Sequence, residues 1–170
     1  MAMYDWRRTD LRTNVLETPY WISSGLVDGA TAEDAENCLF SFPTAGLITI
    51  VHEVVLQVVV ALTASTVITI GSGTLATDAV TTGGTLTNVD ADEYLLATDI
   101  TVGTPGFYGP ATAHTSDWLT AEAARTWAAP RFITGAATTV PVVYAVCTNT
   151  GTITAGSFRL HMLISNIPGV

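Results

Sequence analysis

The 170-residue chain contains no lysine, and its six basic residues are all arginine. Fifteen acidic residues leave a formal net charge of −9, while charged residues of both signs make up only 12% of the chain. Non-specific nucleic-acid binding needs clustered lysine and arginine against the phosphates, and an anionic membrane surface attracts the same cations. The composition therefore argues against nucleic acid and membrane as partners.

Cysteine is also scarce, since Cys38 and Cys147 are the only two. No cysteine or histidine spacing fits a zinc site, so we predict two buried free thiols. A disulfide between them would require that the chain leaves the reducing compartment after synthesis. The N-terminal residues lack the apolar core of a secretory signal, and we expect synthesis in the cytoplasm.

Hydrophobic residues make up 48% of the chain and the mean hydropathy is +0.41, which argues against intrinsic disorder. The longest apolar stretch, residues 45–64, has polar side chains near its middle and is a poor transmembrane helix. Over residues 46–63 the even positions are almost wholly apolar and the odd positions are mixed, which is typical of a half-buried strand. His52 falls on the apolar face and Glu53 on the other, so His52 is interpreted as a satisfied core or interface residue.

Residues 65–70 alternate again, and we expect them to form a hairpin with the long strand. Further strands are predicted at residues 38–42, 139–147 and 152–165, the last with a bulge at Gly156. Helical turns are predicted at residues 31–36, 90–97 and 116–125. The fold class is mainly β: an antiparallel β-sandwich or jelly roll over residues 26–170, with an extended N-terminal arm over residues 1–25 and one or two short helices.

No stretch carries a convincing catalytic or metal-binding motif. Residues 71–74 resemble a phosphate loop but lack its lysine, and residues 114–117 hold hydrolase-like residue types without a nucleophile elbow. An acidic cluster offers oxygen ligands for calcium or magnesium but has no EF-hand spacing, so it is interpreted as a solvated surface, with a loop-stabilising ion as the alternative; its members are Asn88, Asp90, Asp92, Glu93 and Asp99. We therefore predict no enzyme activity, no cofactor and no metal.

The arm holds the most distinctive cluster of side chains. Three of the six arginines and two of the four tryptophans fall within its first 21 positions. Arginine and aromatic residues are the types enriched at protein interfaces. We predict an interface formed by Tyr4, Trp6, Arg7, Arg8, Arg12, Tyr20 and Trp21; the alternative is that the arm packs on its own domain.

Low charge on a threonine-, glycine- and valine-rich β protein favours a surface that is covered by other subunits. The stretch 142–164 is similar to the closing hairpin of phage head-decoration and fibre-like β-sandwiches, and the stretch 51–78 also resembles phage virion proteins. The resemblance to the head decoration (capsid cement) proteins of tailed bacteriophages implies a homotrimer that binds the major capsid protein on the exterior of the virion. It carries over no catalytic residues.

The residues leave two other functions open. One is a structural component of the phage tail or fibre. The other is a carbohydrate-binding jelly-roll module, in which exposed aromatic rings of the 101–130 region would stack on sugars: Phe107, Tyr108, Trp118 and Trp127.

Overall fold

The computed structural model describes residues 18–30, 36–42, 47–76, 85–95, 103–109, 131–134 and 138–168, and these form ten strands in two antiparallel sheets. The six-stranded sheet contains β1 (Tyr20–Ser23), β2 (Val27–Asp28), β4 (Leu47–Val60), β7 (Gly106–Tyr108), β8 (Arg131–Thr134) and β10 (Ser157–Pro168). The four-stranded sheet contains β3 (Asn37–Ser41), β5 (Val67–Ala76), β6 (Thr87–Leu95) and β9 (Thr139–Thr148). The predicted mainly β, antiparallel sandwich is confirmed.

The core lies between the two sheets and is built from alternate residues of their central strands. β10 runs between β1 and β4, and alternate residues of its inner face are fully buried, namely Phe158, Leu160 and Met162. In the other sheet β9 runs between β3 and β5 and contributes Val143, Ala145 and Cys147 to the same apolar cluster. Pairing of the two longest strands, β4 and β10, therefore sets the inner face of the six-stranded sheet.

A β-bulge interrupts the alternation of β4 that the sequence predicts. The register with β10 shifts between Leu163 and Ile164, so that Glu53 is opposite Leu163 and Val51 is opposite Ile164. Val51 is fully buried although it has an odd number, because the extra residue of the bulge reverses the parity of the strand. The single apolar face that the alternation of residues 46–63 indicates therefore does not continue through the bulge.

The predicted hairpin between residues 46–63 and 65–70 is also wrong. β4 pairs with β10, whereas β5 pairs with β9 and β6 in the other sheet. The same is true of the last two strands, β9 and β10, which lie in different sheets rather than in a closing hairpin. Strand periodicity shows which residues face the core, and it does not show which sheet a strand joins.

The two connections that cross between the sheets are bound to each other. Thr63 in the β4–β5 connection donates its backbone N–H to Ala155 O (3.2 Å), and its Oγ1 accepts the backbone N–H of Thr154 (2.9 Å). In the opposite direction, Asn149 Nδ2 of the β9–β10 connection donates to Ala64 O at 3.0 Å. Leu62 and Ile153 are both buried in the shared core beneath these bonds.

The helix predicted at residues 90–97 is wrong, because Thr87–Leu95 forms the strand β6. Its pairing with β5 is irregular, with register shifts on either side of the Ser72–Asp90 pair. Tyr94 and Leu95 are both fully buried, and burial of these two large side chains outweighs the weak helix-start signal of the acids before them. Of the other predicted helices, 116–125 and most of 31–36 lie outside the described residues, which contain no helix and hence none able to span a membrane.

The end of the predicted arm is part of the six-stranded sheet. β1 pairs antiparallel with β10, with Trp21 opposite Leu163 and Ser23 opposite His161. Ser24 continues the attachment, since its backbone N–H donates to Leu160 O (2.8 Å) and its Oγ accepts the backbone N–H of Leu160 (2.9 Å). Residues 1–17 lie outside the described residues, and with them Tyr4, Trp6, Arg7, Arg8 and Arg12.

Both cysteines are free thiols, as predicted, but only one is buried. Cys147 on β9 belongs to the core, and desolvation raises the pKa of its thiol to about 12. Cys38 on β3 is exposed, so the prediction of burial is wrong for it. Its strand is at the edge of the four-stranded sheet, where one side of the strand has no neighbour among the described strands.

Gly156 lies just before β10 rather than within it, with a φ of +113°. A Cβ atom at this position would overlap the backbone of Leu62 in the neighbouring connection. We expect Gly156→Ala to lower the free energy of unfolding by about 3 kcal/mol, because strain in the positive-φ region adds to the overlap. Urea unfolding measures this change. Gly103→Ala, which meets no atom within 4 Å, is the control and should stay within about 0.5 kcal/mol of the parent; equal losses in both variants would contradict the prediction.

A thiol reagent at pH 8 should label one cysteine in the native protein and two in denaturant. Cys38 is exposed, whereas Cys147 is buried and its pKa of about 12 leaves almost no thiolate at that pH. Mass spectrometry of the labelled chain counts the modified thiols. In Cys38→Ser the native protein should take no label; rapid labelling of that variant would show that Cys147 is accessible.

Candidate functional site

Of the predicted interface residues, Tyr20 and Trp21 lie within the described part of the chain. Both are on β1 and are half-exposed, at 45% and 51% respectively. The Tyr20 hydroxyl accepts a hydrogen bond from Asn166 Nδ2 at 2.7 Å, which ties its ring to β10. Trp21 is two positions from Ser23 on the strand, so both side chains extend from the outer face of the sheet.

Antiparallel register places side chains from four strands on this outer face. Trp21 and Glu53 are both opposite Leu163, while Ser23 and Val55 are both opposite His161. The third row places Arg159 opposite Gln57, and Gln57 opposite Phe107 of β7. Residues that are more than 100 positions apart in the chain thus become neighbours.

A groove of about 440 Å³ crosses these rows, and we call it the outer groove; it is lined by Trp21, Glu53, Val55, Phe107 and His161. Its volume lies within the usual range of ligand pockets, which is about 300–1,000 Å³. Phe107 is 48% exposed, so its ring and that of Trp21 are both accessible. The groove is open and mainly apolar, with aromatic rings contributed from the two sides of His161.

His161 forms the centre of the groove and is held by two side chains. Its Nδ1 is 2.7 Å from Ser23 Oγ, and its Nε2 is 3.2 Å from Gln57 Oε1. Both contacts are satisfied when Nε2–H donates to Gln57 and Nδ1 accepts the Ser23 hydroxyl. Desolvation lowers the pKa of His161, and the positive charge of Arg159 lowers it further, so the neutral ring is favoured. The Phe107 ring lies 6.2 Å from it, centroid to centroid.

Glu53 is the charged residue among the described residues that line the groove. It is half-buried, and its carboxylate makes no hydrogen bond or ion pair with a described residue. At the neighbouring His52, Nε2 lies 2.8 Å from the hydroxyl of the buried Ser165. His52 is thus satisfied, as predicted, but on the Ser165 side chain and within the bulge rather than on a continuous apolar face.

Arg159 lies on β10 in the same row as Gln57 and Phe107. Its Nε is buried and has no hydrogen-bond partner among the described residues. Arg159 is four residues from Leu163, or about 13 Å along the strand, and its charge acts on His161, which is two residues away. Arg159 and Glu53 thus belong to different rows of the outer face.

The other candidates from the sequence do not combine into a site. Residues 71–74 are inside β5, which excludes a phosphate loop there, and the described residues contain no cluster of metal-ligating side chains. Asn88, Asp90, Asp92 and Glu93 lie on β6, while Asp99 and the 114–117 group are outside the described residues.

The four aromatic residues predicted for sugar binding differ in their positions. Tyr108 is buried and its hydroxyl donates to Thr104 O at 2.7 Å, so its ring is not available for stacking on a ligand. Phe107 is exposed in the outer groove. Trp118 and Trp127 lie outside the described residues.

Comparison of the chain with protein-family models, with curated proteins and with solved structures gives no match. The outer groove is therefore interpreted from its own geometry. The sequence did not predict that Glu53, Val55 and His161 are neighbours of Trp21. Their proximity depends on the pairing of strands that are far apart in the chain. The outward position of His161 in the last strand was the one signal available in the sequence.

We expect the protein to lose stability as the pH falls below 6.5, the ordinary pKa of histidine. The unfolded chain binds a proton at His161 in this range, whereas the folded chain resists it because its pKa is lowered. Urea unfolding between pH 5 and pH 8 measures the slope, which should be smaller in His161→Gln. An NMR titration in which the His161 ring takes up its proton above pH 6.5 would contradict this expectation.

Proposed function

We propose that this chain is a structural capsid decoration protein of a tailed phage, which binds the major capsid protein of the shell and stabilises the head. The observation that supports it best is the outer groove, an apolar and aromatic surface on a sheet whose other face is fully packed. Exposed aromatic residues that border apolar grooves are typical of protein-binding surfaces. The proposal involves no catalysis and no cofactor.

The contact surface would combine the arm with the adjoining face of the six-stranded sheet. Tyr20 and Trp21 occupy the start of that sheet and are half-exposed, and residues 1–17 directly precede them. Arm residues Tyr4, Trp6, Arg7, Arg8 and Arg12 extend the proposed contact. A surface of this kind holds a partner mainly through a few anchoring aromatic and arginine side chains.

Stabilisation of a head requires that many weak contacts act together. We propose a homotrimer on the exterior of the shell, in which each copy contributes one docking surface. When three linked surfaces bind to neighbouring capsid subunits, each contact can be modest because the later ones form at high effective concentration. The low content of charged residues, 12% of the chain, supports association of this protein with copies of itself through apolar surface.

Cosedimentation of the purified protein with expanded phage shells that lack it tests this function. Saturable binding is expected, and Trp21→Ala should weaken it by about tenfold or more, as truncation of an anchoring aromatic residue does. Phe132→Ala is the control, because Phe132 is 64% exposed on β8 and does not line the groove. Urea unfolding of each variant separates lost contact from lost folding.

Three results would contradict the proposal: absence of binding to shells, equal binding by Trp21→Ala and the parent, or a monomer in native mass measurements. Electron microscopy of labelled particles distinguishes the tail or fibre role. Label over the whole head supports decoration, whereas label confined to the tail favours that alternative.

A further inference from the structure

We propose that the outer groove is a receptor for one arginine side chain, presented on an extended segment of the shell protein. This inference rests on the proposed function and specifies the chemistry of the partner at the same surface. It is based on three features of the groove: its hydrogen-bonding groups, its aromatic rings and the position of its charge.

Among the described residues that line it, the groove offers a carboxylate acceptor and little else for hydrogen bonding. Both ring nitrogens of His161 are engaged, with Ser23 and with Gln57, so they are already satisfied. The Glu53 carboxylate has no described partner, and Val55 has no polar side-chain atom. A ligand that donates several hydrogen bonds to one carboxylate and is otherwise indifferent to polar partners fits this surface.

The aromatic rings favour a planar cation as that donor. A guanidinium group stacks on aromatic faces and pairs with a carboxylate through two parallel N–H bonds. Trp21 and Glu53 lie on opposite sides of Leu163, about 10 Å apart across two strand spacings. A guanidinium placed between them meets a ring and a carboxylate together, and its aliphatic stem can extend over Val55 towards Phe107.

The charge distribution also favours a cationic ligand in the groove. A net charge of −9 attracts a basic segment from a distance, and Glu53 provides the local charge in the groove. Arg159, which would repel a cation, lies about four residues along β10 from the Glu53 row. The groove is thus polarised, with its negative side at Glu53 and Trp21.

A neutral sugar fits the same groove less well. Sugar hydroxyls need both donors and acceptors around the ring, and the two imidazole nitrogens of His161 are already engaged with Ser23 Oγ and Gln57 Oε1. Of the described lining residues, Trp21 adds one indole N–H donor. Sugar binding is therefore an outcome that the experiment distinguishes.

The test is an NMR titration of the full-length protein that follows the indole N–H signal of Trp21, assigned with Trp21→Phe. The probe is acetyl-Gly-Arg-Gly-amide, and the comparison peptide carries citrulline, which keeps the shape of arginine without its charge. We expect saturable binding of the arginine peptide in the millimolar range and at least tenfold weaker binding of the citrulline peptide. Equal binding of the two peptides, or saturable binding of methyl glycosides in place of the arginine peptide, would overturn the inference.

Two pairs of variants locate the site. Glu53→Gln should weaken binding of the arginine peptide by about tenfold. Glu36 is an exposed carboxylate beside the other sheet, and Glu36→Gln should leave the binding unchanged. Phe107→Ala should weaken binding of the arginine peptide by about threefold or more, because the aliphatic stem loses its packing on the ring, and Phe132→Ala should not. Loss of binding in the control variants to the same degree would overturn the inference.

The chain's own arm is a competing source of arginine. A variant with Arg7, Arg8 and Arg12 all changed to glutamine should bind the peptide as the parent does. If the peptide binds only after this change, the arm fills the groove and the inference is overturned. If Trp21→Ala abolishes shell binding but the parent binds no peptide, the arginine chemistry is rejected and the proposed function is kept. If the parent binds the peptide but not the shell, the shell is rejected as the source of the arginine.

Discussion

The structure depends on the contact between the two connections that cross from one sheet to the other. Each sheet contributes apolar side chains to one shared core, and these are buried only when the sheets are held at a fixed distance and orientation. Thr63 joins the β4–β5 connection to residues 154 and 155 of the β9–β10 connection, and Leu62 and Ile153 fill the space beneath. Because β4 pairs with β10 and β5 with β9, one junction orients both central strand pairs at once.

This junction also explains how far the sequence can predict the fold. The alternation of apolar residues in β10 is local, since each residue's face follows from its position along its own strand, and Phe158, Leu160 and Met162 of its apolar face are buried in the core, whereas β9 is buried on both faces. The choice of sheet is not local. It depends on whether six residues between β4 and β5 turn back or cross, and Thr63, Thr66 and Asn149 decide that through bonds to a segment about 85 positions away. The acidic residues before Tyr94 likewise resemble the start of a helix. The segment is a strand because the Tyr94 ring is buried in the core.

The candidate site was less predictable than the fold for the same reason. Trp21 is recognisable from the sequence as an exposed aromatic in an interface-like segment. Its neighbours in the groove come from β4, β7 and β10, and the unbroken register of residues 53–58 with β10 places Glu53 in its row. Register between strands that are distant in the chain leaves no clear mark in the hydropathy pattern, yet it determines which charge borders the aromatic rings.

The outermost strands bear on how copies of this molecule can come together. β1, β3, β7 and β8 have three to five residues each, and β6, the longest outer strand described, carries Asp90 and Glu93 and pairs irregularly with its neighbour. Short or acid-bearing edge strands are a poor template for pairing with a strand of another chain, so growth of these described edges into fibrils is disfavoured. Contacts between copies would then fall on the broad faces of the sandwich, where side-chain shape sets them and a closed ring of fixed size can form.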